Sequence, residues 1–326
     1  MRVLVIGRTK RFYDATRVCE AATRAGHLCA HVDDRKLRQI VGARAGSEWL
    51  RARATAFRPD RIVCFKPHDV TLDVFGWLAA RIPVSMWYRD LTIPPDPPQV
   101  ARARHCDLTF LTAGGQAPEW RALGVPNVHF LPDAADAAES TPQPYDPDYA
   151  CDVAFIGRGY DEQRAALLCR LAERFHVRVW GQDWDRWREQ LNWNGRVAYE
   201  REFATICASA KIMLGINPSF HVQHRIWAYT SNRMVRTIAC GAFYLTERIP
   251  GVDGIFRDGE HAAYYSDEPE LIGQVERYLA DDAARRAIAA GGREFVLEHH
   301  TYDRRLPNLL DGQPWQNPLD PDWLER

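Results

Sequence analysis

Residues 230–246 read TSNRMVRTIACGAFYLT. Ser231 or Asn232 can cap a helix that ends at Gly241, and an apolar strand from Phe243 to Thr246 follows directly. A helix handed straight to a short, wholly apolar strand is the repeating unit of a parallel sheet covered on both faces. The same alternation extends upstream, with strands at Val153–Ile156, Val177–Trp180 and Ile212–Ile216 separated by helices at Glu162–Phe175 and Glu200–Ala210. Downstream, Pro269–Ala280 and Ala283–His299 carry helical patterns rich in Ala, Arg and Glu.

The first half repeats the pattern independently. Arg2–Ile6, Leu28–Val32, Arg61–Phe65, Val84–Tyr88, Leu108–Leu111 and Val128–Leu131 read as strands, with amphipathic helices at Tyr13–Ala25 and Glu48–Phe57 among the segments between them. From Pro132 to Tyr149 the alternation dissolves into Pro, Asp and Ala, a composition that resists both helix and sheet. The expected fold is therefore α/β, two Rossmann-like doubly wound domains. Their expected bounds are 1–135, a linker at 136–150, 151–310, and a tail at 311–326 whose prolines, with Pro307 before them, prevent long regular structure. A chain of 326 residues exceeds what one core usually supports.

A formal net charge of −1 offers no global field toward nucleic acid or an anionic membrane. No stretch approaches the roughly 18 apolar residues of a spanning helix, and the expected location is the cytoplasm. Eight cysteines are scattered without a C-x-x-C pair, so buried thiols are expected and neither a zinc site nor a disulfide scaffold.

Doubly wound sheets bind ligands at the carboxyl ends of their strands. Gly7, after the first strand, lacks the glycine spacing of a dinucleotide site, which disfavours nicotinamide and flavin enzymes. Strand three is followed by Lys66, Pro67, His68 and Asp69, and strand four by Arg89 and Asp90. His68 or Asp90 could take a proton from an acceptor hydroxyl, while Asp90 could equally pair with Arg89 or Lys66. In the second half, Gly157, Arg158 and Gly159 stand where a strand hands over to a helix, a turn suited to phosphate. The loop Asn217 to His224 includes Asn217, His221 and His224 as polar candidates, but two histidines without carboxylates make a poor metal site, and no metal is expected. Asn232 and Arg233 open the helix of residues 232–240, with Arg236 one turn on, positions suited to a diphosphate.

As an ordered set, DVAFIGRGY from Asp152, the SNR and TIACGAFYLT elements from Ser231, GIFRDGEH from Gly254, RRAIAAGG from Arg285 and EHHTYDRR from Glu298 resemble the CgeB-like spore-protein glycosyltransferases. These lie within the group 1 glycosyltransferases of GT-B fold. The resemblance covers residues 150 to 310 well and the first half in outline, through SMWYRD at Ser85. It implies transfer of a sugar from a nucleotide-sugar, a UDP-sugar being favoured, to an unidentified acceptor across an interdomain cleft. The nucleotide-sugar is a co-substrate, and no cofactor is implied. It also implies an acceptor-side first domain, 1–135, and donor contacts from the second, adding Gly259, Glu260 and His261 to the glycine turn, Asn232 and Arg233. The family's paired glutamates are missing, since Ala228 and Arg236 stand in their places. Either Glu247 or Glu260 then takes the ribose hydroxyls, or the donor differs, or catalysis is lost. The rival readings are a nucleotide-sugar epimerase or hydrolase of the same fold and a non-catalytic binder of sugar nucleotides.

Overall fold

The computed structural model describes residues 1–10, 14–196, 200–218 and 227–323. It divides into two compact units, Met1–Asp133 with Tyr302–Gln316, and Ala134–Thr301 with Asn317–Arg326.

The first unit is built on six parallel strands: β1 (Arg2–Ile6), β2 (Leu28–Val32), β3 (Arg61–Cys64), β4 (Val84–Tyr88), β5 (Leu108–Leu111) and β6 (Val128–Phe130), in the order β2-β1-β3-β4-β5-β6. Val3 to Ile6 are fully buried, as a strand covered on both faces requires, which is why the run is apolar without alternation. Helices α1 (Asp14–Arg24), α2 (Asp34–Val41), α3 (Ala43–Phe57), α4 (Leu72–Ala79), α5 (Pro97–Ala103) and α6 (Ala117–Ala122) make the crossovers. The sheet order turns at β1, which pairs β2 on one side and β3 on the other. A crevice therefore opens beyond the carboxyl ends of β1 and β3.

Cys19 of α1 and Cys29 of β2, expected as thiols, form a disulfide with Cα atoms 5.8 Å apart. The packing of α1 on β2 brings them within bridging distance, which spacing along the chain did not disclose.

The second unit carries β7 (Cys151–Ile156), α7 (Glu162–Ala172), β8 (Val177–Trp180), β9 (Asn192–Trp193), α8 (Glu200–Ser209), β10 (Ala210–Gly215), α9 (Asn232–Ala239), β11 (Tyr244–Glu247), β12 (Ala263–Tyr265), α10 (Glu268–Ala280) and α11 (Asp282–His299). Its strands are parallel in the order β12-β11-β10-β7-β8-β9. Counted from β7 this is the dinucleotide-fold order, three strands running each way from the centre. Its switch point lies between β7 and β10, beyond Ile156 and Gly215.

The chain then returns to the first unit at α12 (Tyr302–Asp311), where the sequence reading ran the second domain to residue 310 and expected the prolines to break structure. Pro307 sits inside this helix. Burial of Leu306, Leu309 and Leu310 offsets the hydrogen bond that proline forfeits. The buried Arg305 guanidinium adds donors to the carbonyls of Pro132, at 3.0 Å, and Asp133, at 3.1 Å.

Candidate functional site

At the second unit's switch point the structure brings together the ends of β7, β10 and β11 and the starts of α7 and α9. Arg233, second residue of α9, reaches across both central strands. Its Nη1 donates to Ile156 O and its Nη2 to Ile216 O, both at 3.0 Å. The guanidinium lies 4.7 Å over the Phe155 ring. Gly157 permits this approach, because an added Cβ there would lie 2.9 Å from Arg233 Nη1 and 2.8 Å from the Phe155 ring.

Arg164, in the first turn of α7, was not singled out from sequence. It is 5 % exposed, sits 5.5 Å over the same Phe155 ring, and donates through Nη1 to Arg158 O at 2.7 Å. Its Nε is buried with no hydrogen-bond partner. Burial, and then the neighbouring charge of Arg233, lower its pKa. Neither Arg164 nor Arg233 pairs with a carboxylate among the described residues. Two adjacent cations, Arg164 buried and Arg233 half-buried, with no carboxylate paired to either among the described residues, form a site prepared for an anion.

Glu247 closes the far side at the end of β11. Its carboxylate accepts from Asn217 N at 3.4 Å and lies 3.5 Å from Asn217 Nδ2. Burial raises its pKa, against the Asn217 contacts and the charge of Arg164, which lower it. A half-buried carboxylate beside an anion site can accept from hydroxyls.

The glycine turn does something other than expected. Gly157 N–H continues the ladder to Trp180 O at 2.9 Å and Gly159 N–H donates to Gln182 O at 2.8 Å, so neither amide is left for a phosphate. The turn is closed by its own packing: an added Cβ on Gly181 would fall 1.8 Å from Gly157 O, and one on Gly159 would fall 2.5 Å from the Trp184 ring. Trp184 is fully buried and donates from Nε1 to Gly157 O. The Asp161 carboxylate caps the start of α7, accepting from Arg164 N at 2.9 Å. The turn therefore offers side chains, and Arg158, forked onto Asp183 at 2.6–2.7 Å, lies at its exposed rim.

The start of α9 differs. Its cap is the neutral Ser231, whose hydroxyl accepts from Met234 N at 3.3 Å, so no charge opposes an anion before Asn232 and Arg233. Arg236 points elsewhere, 4.4 Å over the Phe203 ring. Gly259, Glu260 and His261 lie just before β12, hence at the amino end of the sheet, opposite Glu247. Glu260 pairs there with Arg257 and His261 stacks on Phe295, with centroids 4.1 Å apart. His221 and His224 lie outside the described residues.

In the first unit, His68 and Asp90 follow the adjacent strands β3 and β4. Asp90 is paired with Lys66, one of the alternatives read from the sequence. His68 Nδ1 lies 2.9 Å from the Gln99 side-chain amide, and burial lowers its pKa. Among the described residues no cluster of three metal-ligating side chains occurs, and no helix is long and apolar enough to cross a membrane.

Residues 163–311 match the Glycosyl transferase-like family model. No curated protein matches the sequence. Among solved structures, sucrose-phosphate synthase from Thermosynechococcus elongatus is similar at 12 % identity and a TM-score of 0.67, over 95 % of this chain and 98 % of that one. HepE from Anabaena in complex with UDP aligns at 10 % identity and 0.66, over 96 % and 100 %. A glycosyltransferase from Rickettsia africae aligns at 8 % and 0.68, over 95 % and 97 %. At such identities the likeness establishes the fold, which is that of the GT-B enzymes. By the domain it carries within that fold, this chain is a glycosyltransferase.

Proposed function

We propose that the protein transfers a sugar from a UDP-sugar held at the switch point of the second unit, and that it does so without a metal. Arg164 and Arg233 carry this reading, as adjacent guanidiniums without a carboxylate partner among the described residues. Together with the start of α9 they supply the positive charge that a departing nucleoside diphosphate needs as the glycosidic bond breaks. Arg158 guards the rim, and Glu247 takes the ribose hydroxyls that the family's missing glutamate would take. UDP is favoured because HepE, similar over its whole length, is known with UDP and with UDP-glucose. Within the group 1 glycosyltransferases, the ordered motifs from Asp152 to Arg305 support a CgeB-like assignment.

If the reaction inverts the anomeric centre, a base must deprotonate the acceptor. Of the two candidates His68 is the better, since burial lowers its pKa, which favours the neutral base, and it lines the crevice beyond β1 and β3.

Equilibrium titration with UDP, GDP, dTDP and CMP, in EDTA and then in Mg²⁺, tests the donor site. Preferential binding of UDP in EDTA, and release of UDP from UDP-glucose once an acceptor is present, are the expected results. No binding by any of the four would overturn the donor site. Release of free sugar at the same rate with or without acceptor would make the protein a hydrolase.

A further inference from the structure

The first unit has a switch point of its own, which the donor site leaves unused. Beyond the ends of β1 and β3 lies a cavity of about 540 Å³ whose wall includes Asp34, Arg35, Arg38, Lys66, His68 and Phe65. That volume suits a ligand of one or two rings.

Much of the wall's charge is already committed. Asp69 is held by Arg38 at 2.6 Å. Asp14 is held by the buried Arg89 and by Tyr302 Oη at 2.5 Å. With those carboxylates neutralised, the remaining balance at the wall is positive. Asp34 is the exception: it is 7 % exposed, accepts a hydrogen bond from Asp69 N at 3.2 Å, and has no ion-pair partner among the described residues. A buried carboxylate without a cation is costly unless donors reach it, and a ligand hydroxyl is such a donor. Arg35, next in the chain, is exposed and makes no ion pair among the described residues. Among the described residues Lys66 is held by Asp90, a half-exposed partner whose grip in water is weak.

We propose that this cavity binds the second substrate of the transfer, a polyhydroxylated molecule bearing an anionic group, with Asp34 taking a hydroxyl and Arg35 and Lys66 taking the anion. The proposal rests on the glycosyltransferase reading for the name "second substrate". The recognition itself is a property of the first unit alone. A phosphate and a carboxylate would satisfy the same cations.

The full chain without nucleotide is titrated with glucose 6-phosphate, glucuronate and glucose, as wild type, Asp34→Asn and Arg35→Ala/Lys66→Ala, with UDP titrated into each sample. The expected result is saturable binding of at least one anionic sugar, at least tenfold tighter than glucose. Each variant should weaken it tenfold or more and leave UDP affinity unchanged. Preference between glucose 6-phosphate and glucuronate tells which anion the site takes. The proposal is overturned if neither anionic sugar binds, if glucose binds as tightly, or if both variants bind like wild type. Sugar binding without UDP binding would sink the donor site and spare the cavity; UDP binding without sugar binding would do the reverse.

Discussion

Arg164 and Arg233 stand in the first turns of α7 and α9, where the helix dipole opposes a cation and acidic residues are the rule. A structure that needed only stable helices would not place them there. Arg233 was legible in the sequence because it follows a capping serine and precedes a glycine stop. Arg164 was not, because the glycines before it carry the stronger local signal; its own signal was an arginine three residues after the capping aspartate, where a capping box has Glu or Gln. The glycines misled for a physical reason. They permit close packing of Gly157 against Gly181 and of Gly159 against Trp184, and sequence cannot tell packing from phosphate approach. Arg164→Gln should weaken UDP binding by about 10- to 100-fold, as expected for the loss of a charge-assisted bond of roughly 1.5–3 kcal/mol. Uridine, which lacks the diphosphate, should bind wild type and variant alike in the same calorimetric titration. Asp34 makes a separate, pH-dependent prediction. Burial pushes its pKa up to about 6, above the value in the unfolded chain, so the folded state holds the proton more tightly. Its contribution to stability is present in full below about pH 4 and is lost as pH rises through about 6. Asp34→Asn should therefore gain on wild type across that window, by about 2 kcal/mol at neutral pH, in urea melts taken from pH 4 to 7.

At the scale of elements, the long apolar strands and the helices with a continuous buried face were readable, and the short or exposed elements were not. β9 has two residues and β12 three, too few to establish a period. α2 places Leu37, Ile40 and Val41 on one face, but only Leu37 packs against the core and Ile40 stays 77 % exposed, so three apolar residues in one short helix mark no continuous buried face. What fixes α2 is the Asp33 side chain, which accepts from Lys36 N at 2.9 Å and from Thr9 N at 2.9 Å. The turns between elements are decided by approach distances. Gly181 has φ +136° and an added Cβ would fall 1.8 Å from a backbone oxygen, whereas Gly26 has φ +82° and open space around it. Gly26→Ala should cost only the left-handed strain, about 1–2 kcal/mol. Gly181→Ala must in addition push β7's end away from the turn after β8, and should cost at least about 1–3 kcal/mol more. Urea denaturation of the two variants side by side measures the difference, and equal losses would show that the turn relaxes freely.

At the scale of the whole molecule, the sequence disclosed two doubly wound units and their strand content but not how the chain is divided between them. The prolines at 307, 314, 318 and 321 argued for an unstructured tail, and tertiary burial overrode that local argument. α12 packs its apolar face into the first unit, and Tyr302 Oη reaches Asp14 at 2.5 Å. Asn317 Nδ2 then donates to Gly254 O at 2.8 Å, and Trp323 stacks on Trp227 with centroids 4.4 Å apart, so the last residues belong to the second unit again. The first unit is therefore discontinuous in sequence. Residues 1–133 alone lack the side chains that cover α1 and that satisfy the carbonyls of Pro132 and Asp133. Burying three leucine side chains is worth about 1.5–3 kcal/mol each, of the same order as the whole stability of a domain this size. The fragment 1–133 should consequently show no cooperative thermal transition by circular dichroism, while 1–133 joined through a glycine-serine linker to 302–316 should unfold cooperatively. A cooperative transition of similar midpoint in both fragments would mean that α12 adds nothing to the unit on which it packs.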